Sequence, residues 1–424
     1  MTTSTETTAP APRAPRRLDL EPFRLQNAGV VYAFALIVAA VAILSALNGR
    51  SDYLGLINIA NVLDQTSLFG ILAIFTTITL ISGNFDLSIG SIAALSGGLA
   101  LSVLDAHGVA VAILLGLLSG VVLGFVNGVL VQIVGINAFI VTLGSLTAVR
   151  GLVLILTNGQ SVQPQSTALI GLGGPGPALN LRVASVIVGV VFIATGAWGL
   201  WRARRREGQR GVRPMILIGV GLLLAIGGGA LFATSWSLTM PVYFLVALTV
   251  IAWAILRFTT VGRRLYAVGG NTEAARLSGI NVARYKIVPF VLSGLSAAFI
   301  GILYASRFGA INPNALTGTE LTVLASAILG GTSLFGGAGS VVKSVIGALI
   351  LFTLSNGFNI LNLGANYQGL IQGVVIIGAA AVYTVAGRRG FRREIVAQAP
   401  AVATERVAEP ISAAPKTGTP VGRP

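Results

Sequence analysis

The stretch GVAVAILLGLLSGVVLGFVNGVLVQIV, from Gly108 to Val134, decides what kind of protein this is. It carries no charge, and its only polar side chains are Ser119, Asn127 and Gln132. As a helix it would measure about 40 Å, enough to cross the roughly 30 Å of a bilayer's hydrocarbon with some tilt. Gly116, Gly120, Gly124 and Gly128 recur every fourth residue. They place four bare positions along one helical face, where another backbone can approach closely.

The rest of the chain repeats this reading. Of 424 residues, 54% are hydrophobic and 10% charged, whereas soluble domains run near a quarter charged. Hydropathy places spans near 28–48, 56–82, 86–104, 108–134, 136–157, 183–201, 214–233, 240–257, 287–306, 319–332, 340–361 and 366–386. The expected fold is therefore an all-α integral membrane protein of about 12 transmembrane helices. The 86–104 and 319–332 segments are glycine-rich and polar at their starts, the marks of a broken or re-entrant helix buried in protein.

The formal charge of +15 is spread over four clusters: Arg13 to Arg24, Arg202 to Arg213, Arg257 to Lys286, and Arg388 to Arg393. Each lies between or beside apolar stretches. That is the distribution of cytoplasmic loops, not of one basic face for nucleic acid. Twelve crossings return the chain to its starting side, so charge and parity agree on both termini being cytoplasmic. The expected layout is a cytoplasmic tail over 1–27, a membrane domain over 28–386 and a cytoplasmic, disordered tail over 387–424. The first apolar stretch lacks a small-residue cleavage site and reads as an uncleaved helix. With no cysteine, disulfides, thiol catalysis and cysteine metal sites are excluded. With His107 as the one histidine, a histidine metal cluster or a serine-histidine triad is untenable unless a partner chain supplies the rest.

Asp86-Leu87-Ser88-Ile89 parallels Glu320-Leu321-Thr322-Val323: an acid, a leucine, a hydroxyl and a β-branched aliphatic. Each leads to a glycine pair, Gly97-Gly98 and Gly330-Gly331, and later to an Asn-Gly, Asn127-Gly128 and Asn356-Gly357. On the topology above the two acids enter the membrane from opposite sides, which suggests an internal inverted repeat.

Polar groups in lipid are costly, so Asp64, Gln65, Asp86, Asn127, Asn137, Arg150, Glu320, Asn356 and Asn359 should face protein or a water-filled path. Asp86, Ser88, Asn127, Asn137, Glu320, Asn356 and Asn359 are the path candidates. Asp86 and Glu320 also stand where a carboxylate caps a helix start. Arg150 is expected to snorkel or to pair with a carboxylate such as Asp64 or Asp86. No GxxxxGK[ST] is present, and the string from Gly330 to Gly339 lacks the phosphate-binding lysine and reads as a tight turn.

Within the basic loop 258–286, Asn271 or Thr272 can cap a short helix from Glu273 to Ser278, with Gly279 as its terminating glycine. The element comprises Asn271, Thr272, Glu273, Ala274, Ala275, Arg276, Leu277, Ser278 and Gly279. Two turns are unstable alone. Docking in a groove of another protein supplies the missing contacts; lying on the membrane surface is the alternative.

Four motifs carry a resemblance: Ile81-Ser82-Gly83-Asn84-Phe85-Asp86-Leu87-Ser88-Ile89-Gly90-Ser91, Thr142-Leu143-Gly144 to Arg150-Gly151-Leu152, Gly262 to Asn281, and Leu329-Gly330-Gly331-Thr332-Ser333-Leu334-Phe335-Gly336-Gly337. In order and combination they resemble the permease subunits of ribose- and xylose-type ATP-binding-cassette sugar importers of bacteria, over about residues 55 to 386. Asn84-Phe85 departs from the Gly-Ile usual there. The extra helical pair at 183–233 is more similar to the xylose type.

That resemblance implies a multi-pass protein of the bacterial cell membrane, with no reaction chemistry of its own. It implies a second permease copy, surrounding lipid, a separate cytoplasmic ATPase holding ATP and Mg, and an extracytoplasmic sugar-binding protein. Residues 271–281 would couple to the ATPase, and the Asp86 region would belong to the central path. A path of hydroxyl and amide groups among glycines suits a neutral polyol. Two other readings stay open. One is a secondary transporter using Asp86 and Glu320 to couple ions; the other is a membrane-embedded enzyme.

Overall fold

The computed structural model of this protein describes residues 25–205, 212–227 and 235–362, with isolated positions up to 377. Most of the 1–27 tail, the middle of the Arg202–Arg213 loop, the end of the 214–233 stretch, most of the 366–386 span and the 387–424 tail lie outside the described residues. Met1–Gln372 and Gly373–Pro424 are separate compact units, and everything below concerns the first.

Its helices are α1 (Leu25–Leu47), α2 (Leu56–Ile81), α3 (Ile89–Val129), α4 (Ala138–Thr157), α5 (Leu181–Arg205), α6 (Val212–Leu222), α7 (Met240–Phe258), α8 (Thr260–Gly270), α9 (Thr272–Leu277), α10 (Val282–Phe308), α11 (Thr319–Leu329) and α12 (Val341–Ile360). Among the described residues, seven are long and apolar enough to cross a membrane.

The predicted spans 86–104 and 108–134 form one continuous run that folds back on itself. Gly108 (φ 78°) makes the turn, and the Ser96 and Ser119 hydroxyls then meet at 2.7 Å. In a straight helix those residues would stand about 35 Å apart. The helix begins at Ile89 rather than at residue 86.

The 319–332 segment is the clearer departure from a full span. α11 has 11 residues, about 16 Å of helix, and cannot cross the hydrocarbon. The basic stretch 258–286 is also more ordered than a loop. Thr259 Oγ1 accepts from Gly262 N at 3.3 Å and starts α8, and α10 begins at Val282, several residues before the span expected from 287.

The glycine stripe does what its spacing predicts. A Cβ on Gly120 would overlap the Gly294 carbonyl oxygen of α10, and one on Gly294 would overlap that of Gly120. Gly124 faces Phe290 and Gly128 faces Ile287 in the same way. The second limb of α3 thus lies backbone to backbone along α10, the packing that replaces hydrophobic driving force in lipid.

α2 forms the centre. Its Ile71, Leu72, Ile74 and Ile81 are fully buried against Leu245 of α7, Ile300 of α10, Val323 of α11 and Val341 of α12. Its hydroxyls do not break the helix, because Thr66 and Thr77 donate back to the carbonyls of Val62 and Ala73.

α5 and α6 pack on each other through Gly189 and Gly221. A two-stranded antiparallel ribbon, β1 (Pro175–Asn180) with β2 (Ser235–Thr239), brackets that pair in sequence. The ribbon, with an isolated antiparallel bridge between Val162 and Ile311, is strand pairing that an all-α expectation omits, and it leaves the helical class intact.

Candidate functional site

The two ends of α2 fix a frame for the site. About two turns inside its start, Asp64 accepts from Thr239 Oγ1 at 2.5 Å and pairs with Arg307 at the end of α10. At its finish, the Ile81 carbonyl accepts from Gly337 N at 3.0 Å, and a Cβ on Gly269 would overlap that same carbonyl. The two levels are 17 residues apart, or about 26 Å along a helix.

A non-helical segment enters from each level. Residues 82–88 leave the Ile81 level and lead into α3. Residues 309–318 leave the Arg307 level and lead into α11. The two converge, since a Cβ on Gly90 would lie 2.6 Å from the Leu316 carbonyl oxygen and 2.8 Å from Glu320 Oε2. Two helix beginnings therefore meet inside the protein after entering from opposite ends, an arrangement with the pseudo-symmetry of an inverted repeat.

Both carboxylates at this meeting point serve local backbone. Asp86 Oδ1 accepts from Ser88 N at 3.0 Å and Ser88 Oγ at 2.5 Å. Glu320 Oε1 accepts from Gly318 N at 3.1 Å. Each acid thus accepts the backbone N–H of the residue just before its helix, while neither helix start has a side-chain cap bond to its first turn. Asp86 is only 4% exposed, and its second oxygen has no protein partner among the described residues; the Ser293 hydroxyl of α10 faces it.

From Ser88 a chain of polar groups runs outward. Asn127 Nδ2 donates to Ser88 Oγ at 3.0 Å, and Ser145 Oγ on α4 donates to Asn127 Oδ1 at 2.6 Å. Asp86, Ser88, Asn127 and Glu320 are thus brought together. The other path candidates are not part of this group. Asn137 is exposed and caps α4, accepting from Phe139 N at 2.9 Å. Asn356 donates to Asn58 Oδ1 at 2.9 Å, tying α12 to the start of α2. Asn359 is exposed near the end of α12.

Arg150 pairs with neither Asp64 nor Asp86. Its Nη1 donates to the carbonyls of Pro313 at 2.5 Å and Ala315 at 3.0 Å, with Glu320 as the charge facing it. Holding the 309–318 segment against α4 is therefore its structural work. Asp64 is taken instead by Arg307, which sequence reasoning missed; the signal was a lone arginine closing an apolar helix. Ser145 was missed as well, although it stands inside the Thr142 to Arg150 motif.

On the outside of this group Thr147, Asn314 and Thr317 are exposed, and Ser145, Arg150 and Glu320 are partly so. A polar face at that depth has no place in lipid.

At the Ile81 level, α9 is built as its sequence predicts. Asn271 Oδ1 accepts from Ala274 N at 2.9 Å, Glu273 pairs with Arg276 at 3.1 Å, and Gly279 ends the helix at φ 76°. The helix runs Thr272–Leu277, so Ser278 is its cap rather than its last turn. Ala275 is buried among Val268, Val282, Ile280 and Tyr285. Leu277 is 82% exposed.

A family described as "Branched-chain amino acid transport system / permease component" matches residues 58–380. The xylose transport system permease protein XylH of Escherichia coli strain K12 is 35% identical over 367 residues, which is 84% of this chain and 92% of that protein. XylH of Haemophilus influenzae is 33% identical over 85% of this chain and 98% of its own length. The ribose import permease protein RbsC of Escherichia coli strain K12 is 33% identical over 82% of this chain and 91% of its own. No solved structure matches the chain.

Proposed function

Because the chain belongs to the branched-chain amino acid transport system / permease component family, we propose that it is the membrane-spanning subunit of an ATP-driven importer whose cargo is a monosaccharide, with xylose first among the sugars to test. The relatives named for xylose and ribose match more than four-fifths of the chain. The polar group is consistent with a neutral cargo: the Arg150 guanidinium and the Glu320 carboxylate are already engaged by backbone groups. The subunit performs no reaction. ATP and Mg belong to a separate cytoplasmic ATPase, and a binding protein delivers sugar from outside.

The Ile81 level faces the cytoplasm in this reading, with both termini on that side. Exposed Arg263, Arg264, Arg276 and Arg284 gather there, as the positive-inside rule requires. Residues 271–279 transmit closure of the ATPase to the permease. Leu277 carries this assignment, because an 82% exposed leucine on a two-turn helix outside the bilayer fits a partner's groove. The polar face around Ser145, Thr147 and Asn314 lines the sugar path and turns toward a second copy of the chain, away from lipid.

The test is uptake of radiolabelled xylose in cells carrying this chain, its ATPase and its binding protein, with Glu273→Ala plus Leu277→Asp as the comparison. Loss of uptake and of ATPase co-purification, with the variant still in the membrane, supports the reading. Uptake persisting without any ATPase overturns it in favour of ion coupling.

A further inference from the structure

The glycine-rich string Gly330 to Gly339 has no part in the coupling described above, yet its tip is among the most exposed hydrophobic side chains described. Phe335 is 93% exposed. The residue does not hang on a loose chain. Ser333 N donates to the Ala338 carbonyl at 2.9 Å, closing the turn, and Phe335 N donates to Ser333 Oγ at 3.1 Å. Gly337 N is fastened to the Ile81 carbonyl at 3.0 Å, and Tyr266 of α8 donates its hydroxyl to the Gly339 carbonyl at 2.8 Å.

This turn is seated on the end of α8, which leads through Asn271 into the helix that carries Leu277. A Cβ on Gly336 would lie 2.6 Å from the Gly269 carbonyl oxygen, and one on Gly337 would lie 2.6 Å from the Gly270 Cα. Gly336 (φ 88°) and Gly337 (φ 71°) also hold a backbone that other residues rarely adopt. Gly270 precedes Asn271, the cap of α9. Phe335 and Leu277 are therefore carried by one connected piece of backbone at one end of the molecule.

We propose that Phe335 is a second contact for the same cytoplasmic ATPase, and that the turn 331–339 and α9 form one docking surface; this rests on the coupling reading above. Two observations favour the ATPase over lipid as occupant. The turn is joined through Gly269 and Gly270 to the cap of α9, and its aromatic tip is pinned in place. A pinned aromatic loses little conformational freedom on binding and is the kind of residue that anchors protein interfaces. Because the turn is bonded to Ile81 as well, closure of the ATPase would pull on the end of α2 and on the 82–88 segment leading to Asp86. α9 would then not be the only line of transmission.

The chain has no cysteine, so Phe335→Cys and Leu277→Cys can each carry a single environment-sensitive fluorophore in the full chain in nanodiscs. Adding purified ATPase should shift the emission of both labels, and brominated lipid should quench neither. Phe335→Asp should weaken ATPase binding by about tenfold while Leu277→Asp weakens it independently. A label at Phe335→Cys that brominated lipid quenches, and that ATPase leaves unmoved, makes the turn a membrane anchor and overturns the proposal. If Leu277→Asp lowers ATPase binding and Phe335→Asp does not, this inference fails and the coupling role of α9 stands. If neither lowers it, the coupling reading itself fails.

Discussion

Asn127 of α3 reaches Ser88 at the start of the same helix, 39 positions earlier, through a 3.0 Å hydrogen bond. The reversal at Gly108 makes this contact, and Ser145 of α4 completes it from the other side. Removing the amide should leave the Ser88 and Ser145 hydroxyls without that partner. Asn127→Leu is expected to cost about 1 kcal/mol, the scale of interhelical hydrogen bonds in membranes. It should also lower xylose uptake well below what that loss of fold accounts for. Melting in detergent beside uptake per inserted molecule separates the two effects.

Arg307 and Asp64 form a mostly buried ion pair, with side chains 28% and 10% exposed. Arg307→Met strands the carboxylate among α2, α7 and α10, and should destabilise the protein by about 3 kcal/mol. Asp64→Asn combined with Arg307→Met should recover part of that loss, because no charge then remains unpaired. Equal melting temperatures for Arg307→Met and the double variant would show that the carboxylate left alone carries no penalty.

Gly120 and Gly144 make a sharp contrast. A Cβ at Gly120 meets the backbone of Gly294, whereas one at Gly144 has nothing within 4 Å in this chain. Gly120→Val should abolish correctly folded protein in the membrane, and Gly144→Ala should leave this chain's own fold intact. Size-exclusion profiles of the two variants in detergent decide the matter.

Tyr266 holds the turn that bears Phe335. Burial pushes its phenol above the ordinary value, only partly offset by the charge of Arg257. The donating, protonated form is therefore stabilised by the fold, and its hydrogen bond should persist from neutral to moderately alkaline pH and fade only as pH rises through the raised value. Tyr266→Phe should leave insertion unchanged and make the turn exchange its amide hydrogens faster, a difference that hydrogen-exchange mass spectrometry measures at pH 7 and 9.

If Asp86 and Glu320 coupled ions to transport, Asp86→Asn and Glu320→Gln would abolish uptake. As helix-start acceptors in an ATP-driven importer, both amide variants keep an oxygen that accepts from Ser88 N or Gly318 N. Uptake should then fall only a fewfold and resist a protonophore as long as ATP is maintained. Collapse of uptake with the protonophore at constant ATP would point to ion coupling.

What the sequence determined by itself is whatever depends on neighbours along the chain. Apolar runs declared the membrane, a four-residue glycine period declared a close-packed face, and Asn271 with Gly279 bounded a two-turn helix; each is a local rule of geometry or solvation. The approach of Gly90 to Glu320, the Asp64–Arg307 pair and the seating of Gly336 on Gly269 join residues 67 to 243 positions apart. No local pattern encodes which of several buried polar groups will meet, because in lipid any of them would gain from any partner. The shape of the packed backbone chooses. It leaves Leu277 outside while Ala275 is inside, and it hands Asp64 to Arg307 while Arg150 holds carbonyls of the 309–318 segment.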